Sequence, residues 1–156
     1  MWYAVHCPKG AEDTLIALCK SRIPSEILTD AFTFRYRCLK KRQGTWQEET
    51  QSLFPDYVFL ETDSSEALLK LWDYPAKPRA LSNDETKLLE HLGGPDHELG
   101  FSRGYIRGGA THVTEGPLAG LERQIGKIDR HKRLAWLKPE VQGHPVKAGL
   151  EIIEKG

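Results

Sequence analysis

Hydrophobic and polar positions alternate along this chain with two periods, and the points where the period changes divide it into elements. Trp2 to His6 is an apolar run closed by Pro8 and Gly10, the pattern of an opening strand. From Glu12 to Arg22 the residues Leu15, Ile16, Leu18 and Cys19, with Ile23 just beyond, recur at helical spacing, and Pro24 ends the helix. Ile27 to Cys38 returns to period two, with Phe32, Phe34 and Tyr36 on one side of a predicted strand. Lys40 to Gly44 is a charged turn, and Trp46 to Thr50 is the returning arm of a hairpin. The most apolar stretch is Leu53 to Glu61, where aromatic and aliphatic residues alternate from Tyr57 as in a strand buried on both faces.

Asp63 to Glu66 supplies capping residues for a short helix through Ala67, Leu68, Leu69, Leu71 and Trp72, which Pro75 and Pro78 interrupt. Ser82-Asn83-Asp84-Glu85 is a capping box, followed by the stripe Leu88, Leu89 and Leu92 and closed by Gly93-Gly94-Pro95. These elements predict an α+β layer, an antiparallel sheet with flanking helices, over residues 1–94. Residues 95–104 lose all periodicity and are expected to be a linker. Beyond them Gly and Pro punctuate short apolar runs at His112-Val113, Leu121 to Ile128, Leu134 to Leu137, Pro145-Val146 and Leu150 to Ile153. That pattern predicts a small β-barrel over residues 105–156. Its core would need Val113, Leu121, Ile125, Ile128, Trp136 and Val146.

Charge changes the picture only locally. Lys plus Arg and Asp plus Glu both number 22 among the 156 residues, so net charge points to no polyanionic partner. Lys127, Arg130, Lys132 and Arg133, with His131, nevertheless form one basic cluster, and a local patch suffices for nucleic acid. Cys7, Cys19 and Cys38 are odd in number and lack metal-ligand spacing, which suits a reduced compartment. Met-Trp-Tyr-Ala-Val-His has no signal-peptide character and no apolar segment approaches membrane-spanning length, so a cytoplasmic protein is expected, with no membrane partner. Catalytic residues, metal ligands and cofactors are all expected to be absent. The six histidines are scattered, and no phosphate loop, nucleophile elbow or carboxylate pair is present. Cys7 beside His6 is not a nucleophile and base, because strand neighbours point to opposite faces.

Leu53-Phe-Pro-Asp-Tyr-Val-Phe59, the opening Trp2-Tyr3-Ala4-Val5 and the Ser82 helix resemble, in order and spacing, the N-terminal (NGN) domain of NusG-type transcription elongation factors. Val113 to Glu122, then Ile125 to Asp129, resembles the KOW motif, in which a tight Gly-Pro turn joins strands of an SH3-like barrel. The resemblance covers nearly the whole chain. It implies a non-enzymatic factor that grips the clamp helices of bacterial RNA polymerase with an apolar patch and promotes processive elongation. By position that patch would contain Tyr3, Val5, His6, Phe54, Pro55, Tyr57 and Phe59. Tyr3 and Phe59 equally suit the domain core. Ser64 and Ser65 stand where the family meets the gate loop of the polymerase, without the His-Thr-Thr element of RfaH.

Within the family the run Lys127 to Arg133 followed by Gly149 to Ile153 looks most like the specialised antitermination paralogue LoaP. That likeness implies that Lys127, Arg130, His131, Lys132 and Arg133 bind a hairpin in the nascent RNA. A solvated hairpin tip is the plainer alternative. Two other functions stay open: a general NusG-type factor whose barrel couples to a ribosomal protein or Rho, and a ribosomal-type RNA-binding KOW protein. Pro117, Pro139 and Pro145 oppose an RfaH-like helical C-terminal domain, so a permanent barrel in a monomeric protein is expected.

Overall fold

In the computed structural model, which describes residues 1–156, the strand that begins at Tyr57 lies inside a four-stranded sheet. In chain order the first elements are β1 (Trp2–His6), α1 (Glu12–Arg22), β2 (Asp30–Phe32), β3 (Arg35–Arg42), β4 (Thr45–Ser52), β5 (Tyr57–Glu61), α2 (Ser65–Leu71), β6 (Arg79–Ala80) and α3 (Asn83–Gly93). Six strands follow: β7 (Glu98–Leu99), β8 (Ser102–Arg107), β9 (Ala110–Glu115), β10 (Ile125–Asp129), β11 (Leu134–Val141) and β12 (His144–Lys155). The architecture is α+β. Packing divides the chain into one unit of Met1–Thr33 with Phe54–Thr86 and a second of Phe34–Leu53 with Lys87–Gly156. No helix is long and apolar enough to cross a membrane.

The first unit is built on the order β2-β5-β1-β6, with β1 and β5 antiparallel and His6 opposite Tyr57. Period two sends Tyr3, Val5, Cys7, Val58 and Leu60 to one face, where they meet Leu15, Cys19 and Ile23 of α1 and its exit, and Leu68 of α2. Each large aliphatic group removed from water there contributes about 2 kcal/mol. The opposite face carries Trp2, Phe32 and Phe59 in ring contact. Helix α1 keeps Glu12 and Asp13 in its first turn and Lys20 and Arg22 in its last, matching its dipole. The capping box ahead of α3 is formed in both directions. Ser82 N–H donates to Glu85 Oε1 at 2.8 Å, and Glu85 N–H donates to Ser82 Oγ at 3.1 Å.

The second unit holds the hairpin β3–β4, closed by Gln43 and Gly44 at φ 51° and 79°, the signature of a two-residue type I′ turn. Strand β7 pairs in parallel with β3. A five-stranded sheet follows in the order β10-β11-β12-β8-β9, with β12 and β8 parallel and the other neighbours antiparallel. Strands β9 and β10 are its two edges, so its hydrogen-bonded ladder is open rather than closed on itself. Residues 102–155 contain strands and no α-helix.

Several expectations change. Ile27 to Cys38 is not one strand: β2 pairs with β5, whereas β3 enters another sheet, and Phe34 carbonyl accepts the Leu53 N–H at 2.9 Å. The alternation runs through the break, so only the partner changes. Pro145-Val146 and Leu150 to Ile153 belong to one strand, β12. Gly149 inside it is no break. A Cβ there would collide with the Phe101 ring and the Arg37 carbonyl, so glycine serves close approach. Residues 95–104 carry a 3-10 turn, β7 and the start of β8. Of the six expected barrel-core residues Val146 alone is fully buried; Leu118, Leu137, Val141 and Leu150 fill the core, while Ile125 and Ile128 lie on an edge strand.

Gly116, in the Gly-Pro turn after β9, has φ +100°, and a Cβ would run into Ser102, whose buried Oγ accepts the Leu118 N–H at 3.1 Å. Gly116→Ala is expected to remove roughly 2 kcal/mol or more. Urea or thermal unfolding reads this directly, and an unchanged midpoint would show that the turn tolerates a side chain.

Candidate interaction surfaces

The turn that feeds β5 follows from three residues. Pro55 fixes φ at the second position, Asp56 accepts φ +68° at the third, and Tyr57 N–H closes on Phe54 carbonyl at 3.2 Å, the arrangement of a type II turn. Asp56 is tied on both sides: its N–H donates to Glu12 Oε2 at 3.1 Å, and its carbonyl accepts the Cys7 N–H at 2.9 Å. This fixes the height at which Pro55 and Tyr57 leave the sheet.

The seven residues of the expected patch do not share one surface. Tyr3 and Val5, 6% and 0% exposed, lie in the core beneath α1, on the opposite face from His6, Tyr57 and Phe59. Phe54 and Phe59, 4% and 1% exposed, pack with ring centroids 5.3 Å apart. His6 and Pro55 are exposed and Tyr57 is half-buried. The His6 and Tyr57 rings meet edge to face, with centroids 5.1 Å apart. The outward surface is therefore His6, Pro55 and Tyr57, standing on a buried floor of Phe54 and Phe59.

Cys7 is buried, and burial pushes its thiol above the ordinary value, with the charges of Glu12 and Asp56 adding to the effect. That is the reverse of an activated nucleophile.

The five residues of the basic cluster lie on or beside one turn but face different partners. Lys127 on β10 extends over the ring of Trp136, with Nζ 5.0 Å from its centroid. Arg130, His131 and Lys132 are exposed in the turn between β10 and β11. Arg133, at φ +56°, is half-buried, with its guanidinium 4.2 Å above Trp46 and its Nε 3.5 Å from Glu151 Oε2. Its charge is already engaged. The pattern did not single out Trp46 or Trp136 as surface groups, although Trp46 follows Lys40-Lys41-Arg42 closely. A large aromatic among cations on a two-stranded arm is the signal that marks it.

The family model described as "Transcription termination factor nusG" matches residues 1–91. Comparison with curated proteins gave no match.

Asp129 shapes the basic turn. Its Oδ1 accepts the Lys132 N–H at 2.9 Å, and this bond, aided by the charges of Lys132 and His131, holds its carboxyl below the ordinary value. A folded value below the unfolded one means that this contribution is present above the unfolded carboxyl's pKa. It is lost as pH falls through the folded value. The Lys132 amide resonance is therefore expected to shift with Asp129 protonation on acidification and to lose that inflection in Asp129→Ala. A flat titration in the native chain would show that the turn does not depend on this carboxylate.

Proposed function

The chain belongs to the NusG family, and from that membership we propose that it is a transcription elongation and antitermination factor that rides on bacterial RNA polymerase. The observation that carries the reading is the His6, Pro55 and Tyr57 surface, which lies within the matched residues 1–91. We assign it to the clamp helices of the polymerase. Aromatic groups held at fixed height lose few torsions on docking and bury much area. Phe54 and Phe59 act from beneath, as the floor that keeps Tyr57 outward; Tyr3 and Val5 hold the sheet to α1. Bridging the clamp to the far side of the polymerase cleft favours processive elongation over pausing.

The C-terminal sheet is read as a KOW-type SH3-like module of the LoaP kind that binds a hairpin in the nascent RNA. Support comes from the five strands β8 to β12, from the Gly116-Pro117 turn and from the exposed Lys127, Arg130, His131 and Lys132. Arg133 acts by positioning the turn. Lysine and arginine at such a turn hold phosphates, and RNA hairpins offer them at close spacing.

The double substitution His6→Ala with Tyr57→Ala is expected to lower affinity for core RNA polymerase by at least about tenfold, with a smaller change in melting than a core substitution, because His6 is exposed and Tyr57 only half-buried. Phe59→Ala should instead cost about 3–5 kcal/mol of stability, the usual result of emptying an aromatic core site. Titration of labelled protein with polymerase, beside thermal melts, separates the two. Wild-type affinity in the double variant would overturn the assignment.

A further inference from the structure

Within the second unit, an open cleft of about 380 Å³ runs between the β3–β4 hairpin and the residues of β11, β12 and the basic turn. Tyr36, Trp46 and Trp136 give it aromatic surface, and Lys40, Lys41, Lys132 and Lys147 give it charge. No carboxylate lines it.

Both indoles are braced by cations. Trp136 lies opposite Lys127 on one neighbouring strand and Lys147 on the other, with Lys127 over its ring. Trp46 lies opposite Lys41 in the hairpin ladder and carries Arg133 on its ring, with Arg133 itself paired to Glu151. The ion pairs of this unit are all made by arginines: Arg37 and Arg42 hold Glu48, Glu49 and Glu98, and Arg103, Arg107 and Arg133 hold Glu115, Glu151 and Glu154. The cleft lysines enter none of these pairs. Two other clefts of the unit contain a glutamate, Glu122 or Glu151, beside their arginines. Planar stacking surfaces among unpaired lysines, with no acid in the wall, fit a flat ring attached to phosphate. The volume also lies within the range of about 300–1,000 Å³ common for small-ligand clefts.

We propose that this cleft takes an unpaired nucleotide of the RNA, with its base against Trp46 or Trp136 and its flanking phosphates on Lys41, Lys132 and Lys147. This rests on the RNA-binding reading above and extends it. A paired stem hides the faces of its bases, so the indoles select a loop or bulge, while the turn at Arg130 meets the stem. The hairpin of residues 35–52, far from the basic cluster in sequence, becomes half of the RNA site.

The test uses the full chain with three probes of equal length: a short oligouridylate, a fully paired RNA duplex and an oligothymidylate. Binding is read by tryptophan fluorescence and by anisotropy at two salt concentrations. Oligouridylate is expected to quench the indoles and to bind more tightly than the duplex. At least one of Trp46→Ala and Trp136→Leu should weaken it by roughly tenfold, in line with the loss of one stacked base. Lys41→Gln with Lys147→Gln, the first exposed and the second half-buried on β12, should reduce the slope of log affinity against log salt by about 0.7 per phosphate released, with a thermal melt confirming that the pair of substitutions leaves the chain folded. Oligouridylate binding that survives these substitutions but falls in Lys127→Gln with Arg130→Gln would overturn the cleft and leave RNA binding standing. Tighter binding of oligothymidylate would overturn the assignment to RNA. Failure of every RNA probe would overturn both readings.

Discussion

The first unit depends on one strand that is buried on both faces. Val58 and Leu60 seal the side beneath α1 and Phe59 seals the other, so β5 has no face on which a polar side chain could stand without a partner. Its backbone groups are met by β1 on one edge and β2 on the other. Everything outward must therefore enter at its ends. At the first end the Phe54 to Tyr57 turn turns this constraint into a surface: Pro55 and Asp56 set the angle, Glu12 ties it, and only then do His6 and Tyr57 meet in the open. A recognition surface carried by so rigid a support loses little entropy when a partner docks.

Much of this was legible in the chain and part of it was not, for physical reasons. Helix α1 runs over the residues its periodicity marks, and the Ser82–Glu85 box caps α3 as its spacing requires, because both signals are local. Alternation also identified β5. It could not reveal that the run from Ile27 to Cys38 changes partner after Phe32, since side-chain period is the same in either sheet. Gly149 misled in the opposite sense. A glycine in a short apolar run reads as a turn, yet here it admits the Phe101 ring and the Arg37 carbonyl beside a continuous strand. Site residues followed the same rule. The order of residues brought Tyr3, Val5 and Phe59 together with Tyr57, but which face each takes is decided by pairing register, and that register sends Tyr3 and Val5 inward.

The second unit separates two kinds of cation. Five of its eight arginines, Arg37, Arg42, Arg103, Arg107 and Arg133, are paired with glutamates along the sheets, where a planar fork can hold one carboxylate or bridge two, as Arg37 does with Glu48 and Glu98. These pairs are exposed or, for Arg133 with Glu151, half-buried, and the exposed ones are individually weak. Their effect is chiefly on potential: they offset Glu48, Glu49, Glu98, Glu115, Glu151 and Glu154, while the lysines of the cleft stay outside these pairs. A chain with equal numbers of acidic and basic residues thereby presents a basic cleft.

Residues 34–53 sit early in the sequence yet pack with the C-terminal half, so the polypeptide passes from one unit to the other at residues 33–34, 53–54 and 86–87. The second unit is thus discontinuous. A ribosome emitting this chain must reach β7 before the β3–β4 hairpin has the third strand of its sheet, so the hairpin waits through the synthesis of residues 53–97. The same topology means that no single cut by a protease, and no single fusion point in a chimaera, yields both units whole.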